Sequence, residues 1–247
     1  MSGHSKWSTI KHKKAKTDAA RSKQFTKLIR EITVAARQGG SDVDANPRLR
    51  LAVQAAKGAN MPSDNITRAV KKGAGEIEGV HYEEFSYEGY GPAGVGLIID
   101  VVTDNRNRTT AEVRHALTKH GGNMGETGSV AWNFAAKGVI RVVAERCDEE
   151  TVMNAVLDSG AEDVQESEGT FEVYCVPADL ASVSEWFRSR DIPLDSVEIE
   201  KIPKTLVELD GEEARRMLRL MEALEDLDDV ARVSANFDIP DEAFQED

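Results

Sequence analysis

Apolar residues recur at three- and four-residue spacing along the first quarter of the chain, and farther on the period changes to two. From residue 18, Phe25, Leu28, Ile29, Ile32, Ala35 and Ala36 fall on one side of a helix at about 100° per residue, until Gly39 and Gly40 stop it. Lys23, Lys27, Arg30 and Arg37 group on the opposite side, so this helix is predicted to show a core face and a basic face. A second helix starts with Asn46 as N-cap and Pro47 at its first position, and runs through Leu49, Val53 and Ala56 to about residue 57. A third takes Ser63 as cap, carries Ile66, Ala69 and Val70, and ends at Gly73 after Lys71 and Lys72. Those two lysines also suit a helix C-terminus electrostatically, a structural role that stands beside any ligand contact.

Past the GAGEIEG linker, residues 82–90 and 95–102 read as strands joined around Gly91, Pro92, Ala93 and Gly94. A helix over 109–120 and a strand over 129–134 follow. Strand 139–144, helix 149–157, strands near 164 and at 171–176, helix 180–188 and strand 197–202 then give the order β-α-β-β-α-β of a ferredoxin-like sandwich. Strand 205–209, helix 212–224 and strand 230–237 close the chain. With 138–203 set aside, the elements from 95 onward repeat the same order, preceded by one extra strand. The fold class predicted is α+β: an N-terminal three-helix domain followed by two ferredoxin-like α+β domains, one inserted into the other. The boundaries read as a mobile basic arm at 1–17, a helical domain at 18–78, a discontinuous α+β domain at 79–137 plus 204–247, and an insert at 138–203.

Composition is that of a globular chain: 247 residues, 40% hydrophobic and 30% charged. No apolar run approaches the roughly 18 residues of a membrane span, and no apolar stretch follows the basic N-terminus to make a signal peptide. A cytoplasmic location and no membrane partner are expected. Cys147 and Cys175 lack CxxC spacing and sit in strand-like stretches, so both read as reduced and structural. Charge changes the picture more. Residues 1–72 hold 16 Lys and Arg against 5 Asp and Glu, a surplus of 11 positive charges, while the other 175 carry 15 against 39, a surplus of 24 negative charges. The net −13 thus hides a basic head on an acidic body, which suggests a polyanion-binding part joined to a part that repels polyanions.

The body offers little chemistry. GYGPAGVG joins two strands rather than a strand and a helix and lacks a following Gly-Lys-Ser/Thr, so it reads as a hairpin turn ahead of a phosphate loop. His115 and His120 are five apart and do not project together as a zinc pair; His120 reads as a helix end before Gly121. The acidic run EALEDLDD at 222–229 lacks calcium-loop spacing and reads as a solvated helix end. DNRNR at 104–108 could touch a partner, but caps and turns use the same residues. There is no GxSxG, and neither cysteine has a neighbouring His. Phe171 and Tyr174 lie on opposite faces of their strand and no RNA-recognition signature surrounds them, so they read as core aromatics, as do Trp132, Phe134, Trp186 and Tyr82, Phe85, Tyr87 and Tyr90. No catalytic residue, metal ligand, cofactor or small-molecule substrate is expected.

The nucleic-acid signal is confined to the head. Residues 1–17 contain Lys6, Lys11, Lys13, Lys14 and Lys16 without an acid, and only Trp7 and Ile10 as large apolar groups. With them go Lys23, Lys27, Arg30 and Arg37 of the first helix, and Arg48, Arg50, Lys57, Arg68, Lys71 and Lys72 of the next two. Such cations neutralise phosphates and release counterions, giving affinity with little base preference, while Trp7 could stack on a base. The helices supply no clear Asn/Gln/Arg set for reading a major groove.

The segments MSGHSKWSTIKHKKAKTDAARSKQFTKLIREITVAARQGG, NPRLRLAVQAAKGANMPSDNITRAVKKG, YEGYGPAGVGLIIDVVTDNRNRT and HGGNMGETGSVAWNF resemble the YebC family, over essentially the whole chain. That resemblance implies a three-domain cytoplasmic protein with a helical N-terminal domain and two α+β domains. It implies a DNA-binding transcriptional regulator using the basic arm and first helix, with the GYG loop as a weaker candidate site. Mitochondrial relatives are translational activators for a cytochrome oxidase subunit, and some bacterial relatives act on stalled ribosomes. The expected partner is therefore duplex DNA, with ribosomal RNA and the ribosome as the alternative.

Overall fold

The computed structural model describes Trp7 and residues 18–144, 147, 149–167 and 169–240. Cα packing divides the chain into one unit that runs to Phe134 and resumes at Pro203, and a second formed by Ala135–Ile202.

The first unit begins with helices α1 (Asp18–Gly39), α2 (Pro47–Gly58) and α3 (Ser63–Gly73). Ile32, Ala35 and Ala36 of α1 pack on Leu49, Val53 and Ala56 of α2 and Ile66 and Ala69 of α3, the stripes set by helical spacing. Asn46 caps α2 by accepting from Leu49 N at 3.1 Å, and its amide donates to Ala35 O at 2.8 Å, so one side chain starts a helix and pins it to its neighbour. Ser63 is not a side-chain cap: Pro62 takes that position without one, and Ser63 is the first helical residue. Gly73 lies where α3 meets α1, and any Cβ there would collide with Thr33 O.

Next come β1 (Glu83–Tyr90), β2 (Gly96–Thr103), α4 (Arg106–Lys119) and the short β3 (Asn123–Met124). The second unit follows as β4 (Phe134–Val143), α5 (Glu149–Ser159), β5 (Asp163–Ser167), β6 (Thr170–Cys175), α6 (Leu180–Arg188) and β7 (Leu194–Pro203). The chain returns through β8 (Val207–Glu208), α7 (Gly211–Glu225), β9 (Val230–Ala235) and β10 (Phe237–Asp238).

In the second unit the sheet order β5-β6-β4-β7, with β6 antiparallel to both β5 and β4, is that of a ferredoxin-like sandwich. Arg141 on β4 is 1% exposed and bridges Glu172 on β6, at 2.9 Å, and Glu200 on β7, at 2.6 Å. The Tyr174 hydroxyl donates to Glu172 at 2.7 Å. Cys175 is buried, and burial pushes its thiol up to about 11; Cys147 is half-buried and outside any strand, and both are free thiols.

In the first unit the sheet runs β3-β1-β2-β9. Leu97, Ile99 and Val101 of β2 meet Val113 and Leu117 of α4 and Met217, Leu220 and Leu224 of α7 in one core. The α+β character holds, but strand details differ from the sequence pattern. Residues 129–133 form no strand; they make a loop ending in a 3-10 turn at Ala131–Asn133, and β4 begins at Phe134. The two-residue β3 pairs with the edge of β1 in their place. The predicted strand at 205–209 shortens to β8 and pairs in parallel with β10 outside the main sheet. Two-residue pairings of this kind carry no periodicity to detect.

Candidate nucleic-acid interface

The basic face of α1 is turned onto the acidic end of α7. Lys23 Nζ lies 2.9 Å from Asp226, Lys27 donates to Glu225 O at 2.6 Å, and Arg30 donates to Asp228 O and pairs with Asp229 Oδ1 at 2.8 Å. EALEDLDD is therefore not simply a solvated helix end: Asp229 is 2% exposed. Its Oδ2 accepts from Thr109 at 2.7 Å, Thr103 at 3.0 Å and Arg108 Nη2 at 2.7 Å. Burial pushes this carboxyl up, but the hydrogen bonds from Arg108, Thr109 and Thr103 and the charge of Arg30 outweigh it, so Asp229 is held below its ordinary value of 3.8. The DNRNR run supplies the surroundings: Asn105 caps α4 by accepting from Arg108 N at 3.1 Å, and Arg106 lies over the Phe85 ring.

Two more of the head's arginines serve the fold. Arg48 forks onto Glu31 of α1 at 2.8 Å and also pairs with Glu84 of β1; these hydrogen bonds raise its pKa further still. Arg50 donates to Val43 O at 3.2 Å and to Asp44 O, closing the turn before α2. Trp7 packs against the core beneath α4 and α7, and its indole N–H donates to Glu225 at 3.2 Å. Lys6, Lys11, Lys13, Lys14 and Lys16, and the rest of the arm, lie outside the described residues.

What remains outward in the head is Arg37, Lys57, Arg68 and Lys71, exposed and without an acidic partner among the described residues, beside a half-buried Lys72 whose stem lies near Gly79. The body adds cations that the whole-domain charge sum conceals. Arg114 and Lys119 are exposed on α4, where His115 is also exposed and the neutral form of His120 follows at its end. Burial, then the charges of Lys119, Arg219 of α7 and His115, lower the His120 pKa, so two helices far apart in sequence gather like charge here. The signal was local: α4 carries four Lys and Arg against one Glu, within a strongly acidic region.

The glycine-rich turn is structural. Gly91 and Gly94 close the β1–β2 hairpin, with Ala93 at φ 54°, and a Cβ on Gly91 would come within 2.9 Å of Met217 Sδ. Trp132, expected in the core, is 66% exposed. Among the described residues, no group of three or more His, Cys, Asp or Glu could hold a metal ion, and no helix is long and apolar enough to cross a membrane.

The fold and its charged surfaces define a multidomain α+β protein with a helical head that carries exposed cations on all three of its helices. Two family profiles match it: residues 5–76 fit the TACO1/YebC protein N-terminal domain, and residues 82–237 fit the TACO1/YebC second and third domain. The chain belongs to the TACO1/YebC family. It is 54% identical over 244 residues to a probable transcriptional regulatory protein of Desulforapulum autotrophicum, and 55% identical over 245 residues to one of Geobacter sulfurreducens, covering 99% of each chain in both cases. The crystal structure of a conserved hypothetical protein from Aquifex aeolicus superposes with a TM-score of 0.89 at 51% identity, covering 96% of this chain and 98% of that one.

Proposed function

We propose that this chain is a cytoplasmic, non-enzymatic nucleic-acid-binding regulator of gene expression that acts on DNA through its helical head. The observation that carries the reading is the set of exposed cations Arg37, Lys57, Arg68 and Lys71, left over after Lys23, Lys27, Arg30, Arg48 and Arg50 are engaged within the protein. Relatives more than 50% identical along the full chain are named probable transcriptional regulatory proteins, which supports the same reading. Point cations on short helices grip phosphates and leave base edges unread, so affinity is steeply salt-dependent. The arm lysines 6, 11, 13, 14 and 16 give the same N-terminal region five further positive charges in sequence.

The test is a salt titration of duplex binding by the full chain and by Lys57→Ala/Arg68→Ala/Lys71→Ala. Each phosphate that the variant no longer neutralises lowers the slope of log K against log salt by about 0.9. An unchanged slope rejects these helix cations as the phosphate contacts.

A ribosomal RNA target is the second reading. The covering of the α1 basic face by Asp226 and Asp229 favours it, because fewer outward cations suit a long duplex less well. Ribosome capture that survives excess duplex DNA selects this target; loss of capture to the DNA selects the first.

A further inference from the structure

Every other described aromatic side chain is buried or half-buried, yet Trp132 is 66% exposed. Exposure of a single apolar side chain is ordinary by itself, but an indole held rigidly in the open presents a large aromatic face. The loop beneath it is built to hold it still. One carboxylate, Glu88 on β1, accepts the backbone N–H groups of Gly128 at 2.6 Å, Val130 at 2.7 Å and Ala131 at 2.9 Å. On the far side, Asn133 is buried, and its amide oxygen accepts from Thr205 N at 3.0 Å while its amide nitrogen donates to Thr205 O at 3.1 Å. Both flanks of Trp132 are thus tied to separate segments, strand β1 and the bend between β7 and β8.

The indole itself is oriented. Its N–H donates to Ser129 O at 3.0 Å, so the ring's only polar edge is satisfied internally and what it offers outward is a π-face. Lys204 is exposed and anchored alongside, its ammonium donating to Trp132 O at 2.9 Å. Residues 126–128 and 131 in the same loop are polar or small and exposed, and half-buried Tyr90 donates to the same Ser129 O at 3.3 Å, so the exposed indole stands in a mainly polar loop. A flat π-face with a neighbouring cation, on a loop that needs no ordering, matches a nucleobase and its phosphate.

We propose that Trp132 is a stacking platform for an unpaired base of a single-stranded nucleic acid, with Lys204 beside it for the adjoining phosphate. The inference rests on the nucleic-acid reading above and narrows it, since a base stacked in a duplex has no free face to offer. It adds a contact on the α+β part of the first unit to those proposed for the cationic head.

The experiment measures fluorescence anisotropy of a labelled oligouridine RNA and of a labelled duplex DNA with the full-length protein, Trp132→Ala and Trp132→Phe. The exposed side chain makes both variants compatible with an unchanged melt, which is checked first. Expected is a weakening of oligouridine binding by roughly tenfold in Trp132→Ala, the effect of removing one base stack, with most affinity restored in Trp132→Phe and duplex binding unaltered. Equal oligouridine affinity in wild type and Trp132→Ala overturns the proposal and assigns the ring to another occupant. Equal losses for oligouridine and duplex also overturn it, because stacking discriminates between them. Absence of binding by the wild type to either probe fails the nucleic-acid reading itself, an outcome distinct from the other two.

Discussion

Arg30 of the first helix and Asp229 before the last long strand, 199 positions apart in the chain, form an ion pair at 2.8 Å in which the carboxylate is 2% exposed. Arg108, Thr103 and Thr109 complete the same carboxylate's shell, so the helical head and the α+β core share one buried acid. Removing the carboxylate takes away the charge partner of Arg30, whose side chain is only 13% exposed.

Asp229→Asn is accordingly expected to cost about 3 kcal/mol and lower the melting temperature by roughly 10 °C, read by thermal denaturation at neutral pH. The pH dependence has a defined sign. Because the folded carboxyl sits below 3.8, its contribution is present above that value and is lost as pH falls through the folded pKa. The gap between wild type and variant should stay flat above about pH 5 and close below about pH 4. A gap that widens on acidification would contradict the assignment.

The outer pairs of the same seam are of another kind. Lys23 and Asp226 are 43% and 66% exposed, and solvent screens them. Asp226→Asn should leave the melt almost unchanged while freeing Lys23 for phosphate. Its signature is a salt slope for nucleic acid steeper by up to about 0.9; a slope equal to wild type shows that Lys23 takes no part.

Glycines 58 and 73 make a matched pair. Both end helices, but a Cβ at Gly58 meets nothing within 4 Å, whereas one at Gly73 collides with Thr33 O and Ala36. Gly58→Ala should be neutral or stabilise by up to about 1 kcal/mol, and Gly73→Ala should destabilise by about 1–3 kcal/mol. Urea titrations of the two variants decide it.

In the second unit, Arg141→Met removes the guanidinium that bridges Glu172 and Glu200 in a buried sheet face and should cost about 3–5 kcal/mol. Arg141→Met/Glu172→Met/Glu200→Met should recover most of that loss, because no buried charge is left unpaired. Failure of the triple variant to recover would show that the ion network itself, rather than its completeness, stabilises the unit.

Much of this architecture was legible along the chain because its causes are local. The caps and stops of α1 and α2, the GYGPAGVG hairpin and the β-α-β-β-α-β order depend on residues within a turn or two of each other, and each lies where spacing indicates. The strand order β5-β6-β4-β7 is the one that a β-α-β-β-α-β sequence of elements adopts in a ferredoxin-like sheet. The site was less legible. Periodicity placed Lys23, Lys27 and Arg30 on one face of α1, but no local pattern says which distant segment that face will meet.

Sequence by itself determined the helical head, the α+β class, the nested order of elements and the separation of positive from negative charge. Only tertiary structure decided how that charge is used. The acids of 222–229 cover cations of α1, Arg48 and Arg50 hold loops and strands together, and Lys119, His115 and Arg219 of α7 gather around His120. It alone also put Trp132 outside the core. The physical reason is that helix and strand formation respond to neighbours a few residues away, whereas pairing, desolvation and exposure depend on which remote surfaces the packed core brings together.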